Sequence, residues 1–207
     1  NGMPAVAMTD TGNMMGAFHF VSAVMNHNKA ASGKNKALVD AGEEPTETEI
    51  KPIVGCEFNI CENHLDKSKK DNGYQVVLLA KNKAGYHNLA KMASIAYTEG
   101  FYYVPRIDKK IVEQYKGDIM VLSGNLYGEI PSKILNIGEN QAEEALIWWK
   151  EQFGEDFYLE VMRHNQEDEN RVNKTLIEFS QKHNVKLIAT NNTYYLNKED
   201  ANAHDIL

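Results

Sequence analysis

Three residues in this sequence have the chemistry of metal ligands and stand where strands would deliver them. Asp10 follows the short apolar run Pro4 to Met8, Glu57 lies inside Lys51 to Ile60, and His164 follows Phe157 to Met162. Two carboxylates and an imidazole are donor types of zinc and manganese hydrolases. Each residue also has a purely structural reading, in which Asp10 caps the helix after it, Glu57 is salt-bridged and His164 is hydrogen-bonded within a loop. Glu57 needs a partner under either reading, because its neighbours are suited to burial and an unpaired acid there is costly. No glycine-rich phosphate loop, nucleophile elbow or HExxH pair offers a rival chemistry.

Short strands alternating with long helices would position these groups. Pro4 to Met8 reads as a strand, followed by a helix from about Met15 to Met25 with Phe18, Val21, Ser22 and Met25 on its inner face. Asn26 to Ile50, rich in lysine, alanine and glutamate, reads as a surface insertion with solvated charges. Lys51 to Ile60 is a second strand. Cys61 to Gly73 is then a polar loop whose lysines, Lys67, Lys69 and Lys70, serve solubility. Tyr74 to Ala80 is a strand and Lys83 to Tyr97 a helix, with Tyr86, Leu89, Ala93, Ala96 and Tyr97 at helical spacing and His87 off the stripe.

Gly100 to Arg106 is an aromatic packing segment, with Arg106 a candidate cleft residue. Ile119 to Leu122 is a strand. The next long helix has Asn140 and Glu143 at capping-box spacing and Ala142, Ala145, Leu146, Trp149 and Phe153 inward. Phe157 to Met162 and Lys186 to Ala189 are strands around a helix from Glu167 to His183, with Val172, Leu176 and Phe179 inward. Polar residues then stand at six strands or their exits: Asp10, Glu57, Gln75, Asn125, His164 and Asn192. An α/β barrel brings so many strand ends to one rim, and it is favoured over a doubly wound open sheet.

Composition sets the limits. A chain of 207 residues, 43% hydrophobic and 25% charged, holds one sizeable core, and a single domain over residues 1–207 is expected. No apolar run reaches membrane-span length, and the first residues lack the pattern of a signal peptide, so a cytoplasmic protein is expected. Cys56 and Cys61 have neither disulfide-framework nor zinc-knuckle spacing and read as reduced thiols. The net charge of −7 speaks against a broad surface that neutralises a nucleic-acid backbone.

The blocks MPAVAMTDTGNMMGAFHF, KPIVGCEFNI, LLAKNKAGYHNLAKMASIAYTEGFYYVPRID, VLSGNLYGEIP, FYLEVMRH and IATNNTYYLNKEDANAHDIL resemble the PHP (polymerase and histidinol phosphatase) domain. The likeness is to the branch at the N-terminus of bacterial DNA polymerase III alpha subunits, and it covers nearly everything except 26–50. The resemblance implies a distorted TIM-like (β/α)7 barrel, incomplete at its N-terminus because the opening histidine-x-histidine strand precedes this sequence. It carries Asp10, Glu57 and His164 over as metal ligands. It also marks five departures. Thr11 replaces a histidine, Gln75 a histidine and Asn125 a cysteine, while Asn192 and Tyr194 replace a closing aspartate-x-histidine pair.

Neutral amides and hydroxyls are poor substitutes around a transition metal. A degenerate site is therefore expected, with no catalytic residue and no cofactor; the alternative is one weakly bound zinc or manganese. By the same resemblance the chain would be a structural or interaction module of a DNA-directed DNA polymerase, a nucleotidyltransferase whose magnesium belongs to other domains. The alternative is a residual metal-dependent phosphoesterase or 3′ to 5′ proofreading exonuclease. Its partners would be the other domains of the alpha subunit and other replisome subunits, with DNA met through the parent protein.

Overall fold

Lys51–Cys61 has the alternation of a strand covered differently on its two faces, and that difference organises the molecule. Cys56, Phe58 and Ile60 are buried against helices, whereas Glu57 and Asn59 point the other way, into a concave surface. In the computed structural model, which describes residues 2–206, this strand is β2 of a seven-stranded mixed sheet. The others are β1 (Ala5–Met8), β3 (Tyr74–Ala80), β4 (Arg106–Asp108), β5 (Ile119–Leu122), β6 (Phe157–Val161) and β7 (Lys186–Ala189). The path runs β1-β2-β3-β5-β6-β7, with β4 attached to the end of β2. Every pairing is parallel except those of β3, which runs against both β2 and β5.

The sheet curls into a half-barrel, consistent with an incomplete PHP-type TIM-like barrel. On its outer face lie α2 (Lys83–Thr98), α3 (Lys109–Tyr115), α4 (Glu129–Asn136), α5 (Glu139–Phe153) and α6 (Glu167–His183). Leu89, Met92, Val112, Ile134, Leu146, Trp149 and Leu176 from these helices enclose Phe58, Leu78, Val121 and Leu159 from the strands. Each such side chain contributes about 1.5–3 kcal/mol by leaving water. The caps are local and legible: Asn82 accepts from the amides of Ala84 and Gly85 at α2, and Asp108 from those of Lys110 and Ile111 at α3.

Several boundaries differ from the sequence reading. The first helix, α1 (Ala17–Asp40), does not stop near Met25 but runs through the first part of the 26–50 stretch. Its buried residues are Ala17, Val24 and Ala31, while Phe18 and Met25 are exposed. Small residues let the helix lie close, and the larger ones fall on the outer side. Residues 43–50 then run back along α1, bracketed by two asparagines. Asn28 bonds both the amide and the carbonyl of Ile50, and Asn35 does the same to Glu47.

In α2 the inward residues are Gly85, Leu89, Met92 and Ala96, with Tyr86 and Tyr97 leaning outward. The capping box at Asn140 is absent: α5 begins at Glu139, and Glu143 instead pairs with Lys182 and His183. The sequence reading had no counterpart to β4, α3 or α4. Arg106, expected as a candidate cleft residue, is wholly buried in β4. Its guanidinium donates to the carbonyls of Gly100, His64, Asp66 and Asp71 at 2.9–3.2 Å, tying down the loop between β2 and β3. Beside it His64 and Asp108 form a buried pair at 2.6 Å. The short helix α7 (Ala201–Ile206) ends the described chain.

Candidate functional site

Because β1, β2, β5, β6 and β7 run the same way, their carboxyl ends gather along one rim, joined by the start of the reversed β3. The candidate residues fall there in three neighbouring groups. The first joins β1 to β2. Glu57 donates its amide to the Asp10 carbonyl at 3.0 Å and accepts at its own carbonyl from Gly12. The Thr11 hydroxyl donates to Glu57 Oε1 at 2.9 Å. Burial raises the Glu57 carboxyl above the ordinary range, partly offset by that hydroxyl. The Asp10 carboxylate lies over the start of α1, where a Cβ added to Gly16 would come within 3.2 Å of it. No side-chain cap is made at that helix end.

In the second group amide meets amide: Asn125 Nδ2 donates to Gln75 Oε1 at 3.2 Å, linking the β5 exit to the start of β3. The third group surrounds a cavity of about 570 Å³ whose lining includes Asn125, Glu160, His164, Asn192 and Tyr194. There His164 is held on both ring nitrogens. Nδ1 meets Glu169 Oε1 at 2.6 Å and Nε2 meets Asn191 Oδ1 at 2.7 Å. Both contacts are to acceptor oxygens, an arrangement that favours the doubly protonated ring, and the ring pKa is raised, first by Glu169 and then by Asn191. Tyr194 stacks on His204 at 5.2 Å between centroids.

Two functional-looking acids went unmarked in the sequence reading. Glu160, on β6, projects into the concave face and is buried. It accepts from the Thr190 hydroxyl at 2.5 Å and the Gly124 amide at 3.1 Å. Burial raises its carboxyl, and the charge of Glu57 adds to the rise, so the curl brings β2 and β6 within electrostatic reach. An acid in an apolar strand was the signal, the same one that picked out Glu57. Glu169 stands in the first turn of α6, where its charge also suits the helix end. Burial pushes Cys56 up to about 12 and Cys61 to about 11, so neither is a thiolate near neutral pH. Among the described residues, no three His, Cys, Asp or Glu side chains stand where they could share a metal ion.

A family model described as the PHP domain matches residues 1–164. The chain belongs to the PHP domain family. Curated relatives of this PHP domain include DNA polymerase III subunit alpha of Borreliella burgdorferi, 38% identical over 99% of this chain and 16% of that protein. The same subunit of Thermus aquaticus is 38% identical over 99% of this chain and 15% of its own length. That of Aquifex aeolicus is 37% identical over 100% and 17% respectively. The chain thus spans about a sixth of the length of these relatives. No helix among the described residues is long and apolar enough to cross a membrane.

Proposed function

We propose that this PHP domain is a structural and interaction module of a cytoplasmic bacterial replicative DNA polymerase, with a metal site that has degenerated. The observation that carries the reading is His164. A histidine binds a metal through a nitrogen lone pair, and here both ring nitrogens are engaged by acceptor oxygens, which favour a proton on each. Binding a metal would require breaking one of those contacts and, where that nitrogen is protonated, expelling its proton.

The donor set fits a metal cluster poorly for further reasons. Glu57 is engaged by Thr11, Gln75 and Asn125 are spent on each other, and Asn192 and Tyr194 supply no anionic charge. Asp10, Glu57 and Glu160 are the acids on this face, and Glu160 is already taken up by Thr190 and Gly124, so few negative donors are left for two or three divalent ions. On this reading, hydrogen bonds among these side chains supply the tethering that a metal would otherwise supply. Other domains of the polymerase and other replisome subunits are the partners this reading names, and nucleotide transfer with its magnesium belongs to the polymerase's other domains.

The test is the melting temperature and phosphoesterase turnover of the chain with manganese, zinc and a chelator in turn. A melting temperature unmoved by chelator, and no turnover, are expected. A large chelator-induced drop, or turnover abolished by Asp10→Ala or His164→Ala, would instead establish the metal-dependent phosphoesterase or exonuclease.

A further inference from the structure

Glu129 opens α4 and is 5% exposed, yet two lysines reach it. Lys109 at the start of α3 donates to Oε1 at 2.9 Å, Lys133 donates to the same oxygen at 2.8 Å, and Trp149 Nε1 donates to Oε2 at 2.8 Å. One carboxylate cannot neutralise two ammonium groups, so the cluster is left with one positive charge. It also keeps unspent donors. Each ammonium has three N–H groups, and one from each goes to Glu129. The side chains of Lys109 and Lys133 are only 34% and 21% exposed. Those donors reach solvent on the open side and are free to take a further acceptor there.

These lysines line a cavity of about 750 Å³ at the rim where β2 ends and β3 begins. Lys69 and Lys70, from the loop between those strands, line it too, with Asn72 and Tyr74. The lining carries four lysines against three carboxylates, in a chain whose net charge is −7. Of those carboxylates, Glu62 is paired with Lys69, and Asp71 accepts from the amides of Glu62 and Gly73. A local excess of positive charge in an acidic protein attracts anions. Lysines on three separate segments, around a space far larger than a carboxylate needs, suit a ligand with several charged oxygens.

We propose that this cavity is an anion site for phosphate oxygens, with Lys109 and Lys133 as its floor and the exposed Lys70 as its outer arm. The same chemistry is offered by pyrophosphate, a product of nucleotide transfer, and by a nucleic-acid backbone. The site stands apart from His164 and does not depend on the reading of the metal remnant.

The chain reports on the site by itself, because both of its tryptophans touch side chains that line it. Trp148 lies 4.4 Å beneath Lys109 and Trp149 bonds Glu129. Tryptophan fluorescence of the chain is titrated with pyrophosphate, with a short single-stranded oligonucleotide, and with sodium chloride at matched ionic strength. A saturable change with pyrophosphate or with the oligonucleotide, absent with chloride, is expected, and the arm that saturates identifies the source. Lys70→Glu and Lys133→Gln should each weaken it about tenfold, the scale of one charge-assisted hydrogen bond. Lys70 is exposed, so its variant keeps the fold, and circular dichroism checks both. A response no larger than chloride's in both arms, or one unchanged in both folded variants, would overturn the proposal.

Discussion

Replacing Arg106 by methionine removes the guanidinium while keeping most of the buried stem, and the cost can be worked from its contacts. Four carbonyls lose a charged donor, those of Gly100, His64, Asp66 and Asp71. Asp66 and Asp71 are part-exposed, so water replaces the lost donor there at little cost, whereas Gly100 and His64 are buried. Two buried acceptors left unpaired cost about 1–3 kcal/mol each. Counting lost packing, about 4 kcal/mol is expected. For a chain of this size that lowers the melting temperature by roughly 8–16 °C. The assay is thermal and urea unfolding followed by circular dichroism, with limited proteolysis to find cleavage in the released loop, residues 62–73. Arg106→Lys should recover less than half of the loss, since a single ammonium cannot span four carbonyls. A loss below about 1 kcal/mol, or a lysine variant as stable as the parent, would refute the view that this residue clamps the loop.

Glu160→Gln should raise the melting temperature at pH 7, since burial keeps the folded carboxyl above its ordinary range. In the parent, the folded state takes up its proton before the unfolded chain as pH falls. Stability therefore rises from the folded midpoint down to the ordinary carboxylate value, and a variant less stable at pH 7 would contradict this. The His164 ring, followed by proton NMR, should titrate above 6.5 and move back toward it in Glu169→Gln. Because the folded value is raised, the contribution of the His164–Glu169 contact is full below 6.5 and is lost as pH rises through the folded midpoint; a midpoint at or below 6.5 would exclude the doubly held ring. Gly124 has φ +84° and an added Cβ would stand 2.3 Å from the Gln75 carbonyl. Gly124→Ala should therefore cost more than about 1 kcal/mol, whereas Gly33→Ala, in open space on α1, should gain about 0.5–1 kcal/mol in urea unfolding.

What the sequence made legible follows from periodicity. Tyr74–Ala80, Ile119–Leu122, Glu167–His183 and Lys186–Ala189 are found at the bounds read from the sequence, because each has an apolar pattern closed by polar or turn residues. The three-residue β4 is too short to carry a period. The residue that anchors it, Arg106, is charged, and only its partners' carbonyls make burial tolerable. The inner face of α1 was misread because tight approach selected Ala17 and Ala31 over Phe18 and Met25, and size is no guide where there is little room.

At the site, residue types named Asp10, Glu57 and His164, and the rim brings Asp10 against Glu57. The lock on His164 was not legible, since Glu169 and Asn191 act through geometry that spans a helix and a loop. The antiparallel turn of β3, which sets Gln75 beside Asn125, also leaves no mark in an alternating pattern.

The two asparagines of α1 act as a pair of rulers laid side by side. Seven helical residues from Asn28 to Asn35 rise about 10.5 Å, and the three extended steps from Glu47 to Ile50 cover about 10 Å. The lengths agree, so both brackets close together. Thr48 and Glu49, between the brackets, can exchange side chains freely, but the gain or loss of a single residue there would throw one bracket out of step by about 3 Å. The stretch between the brackets therefore tolerates substitution but not a change of length, and a longer or shorter chain fits only outside them, in the turn at 41–45.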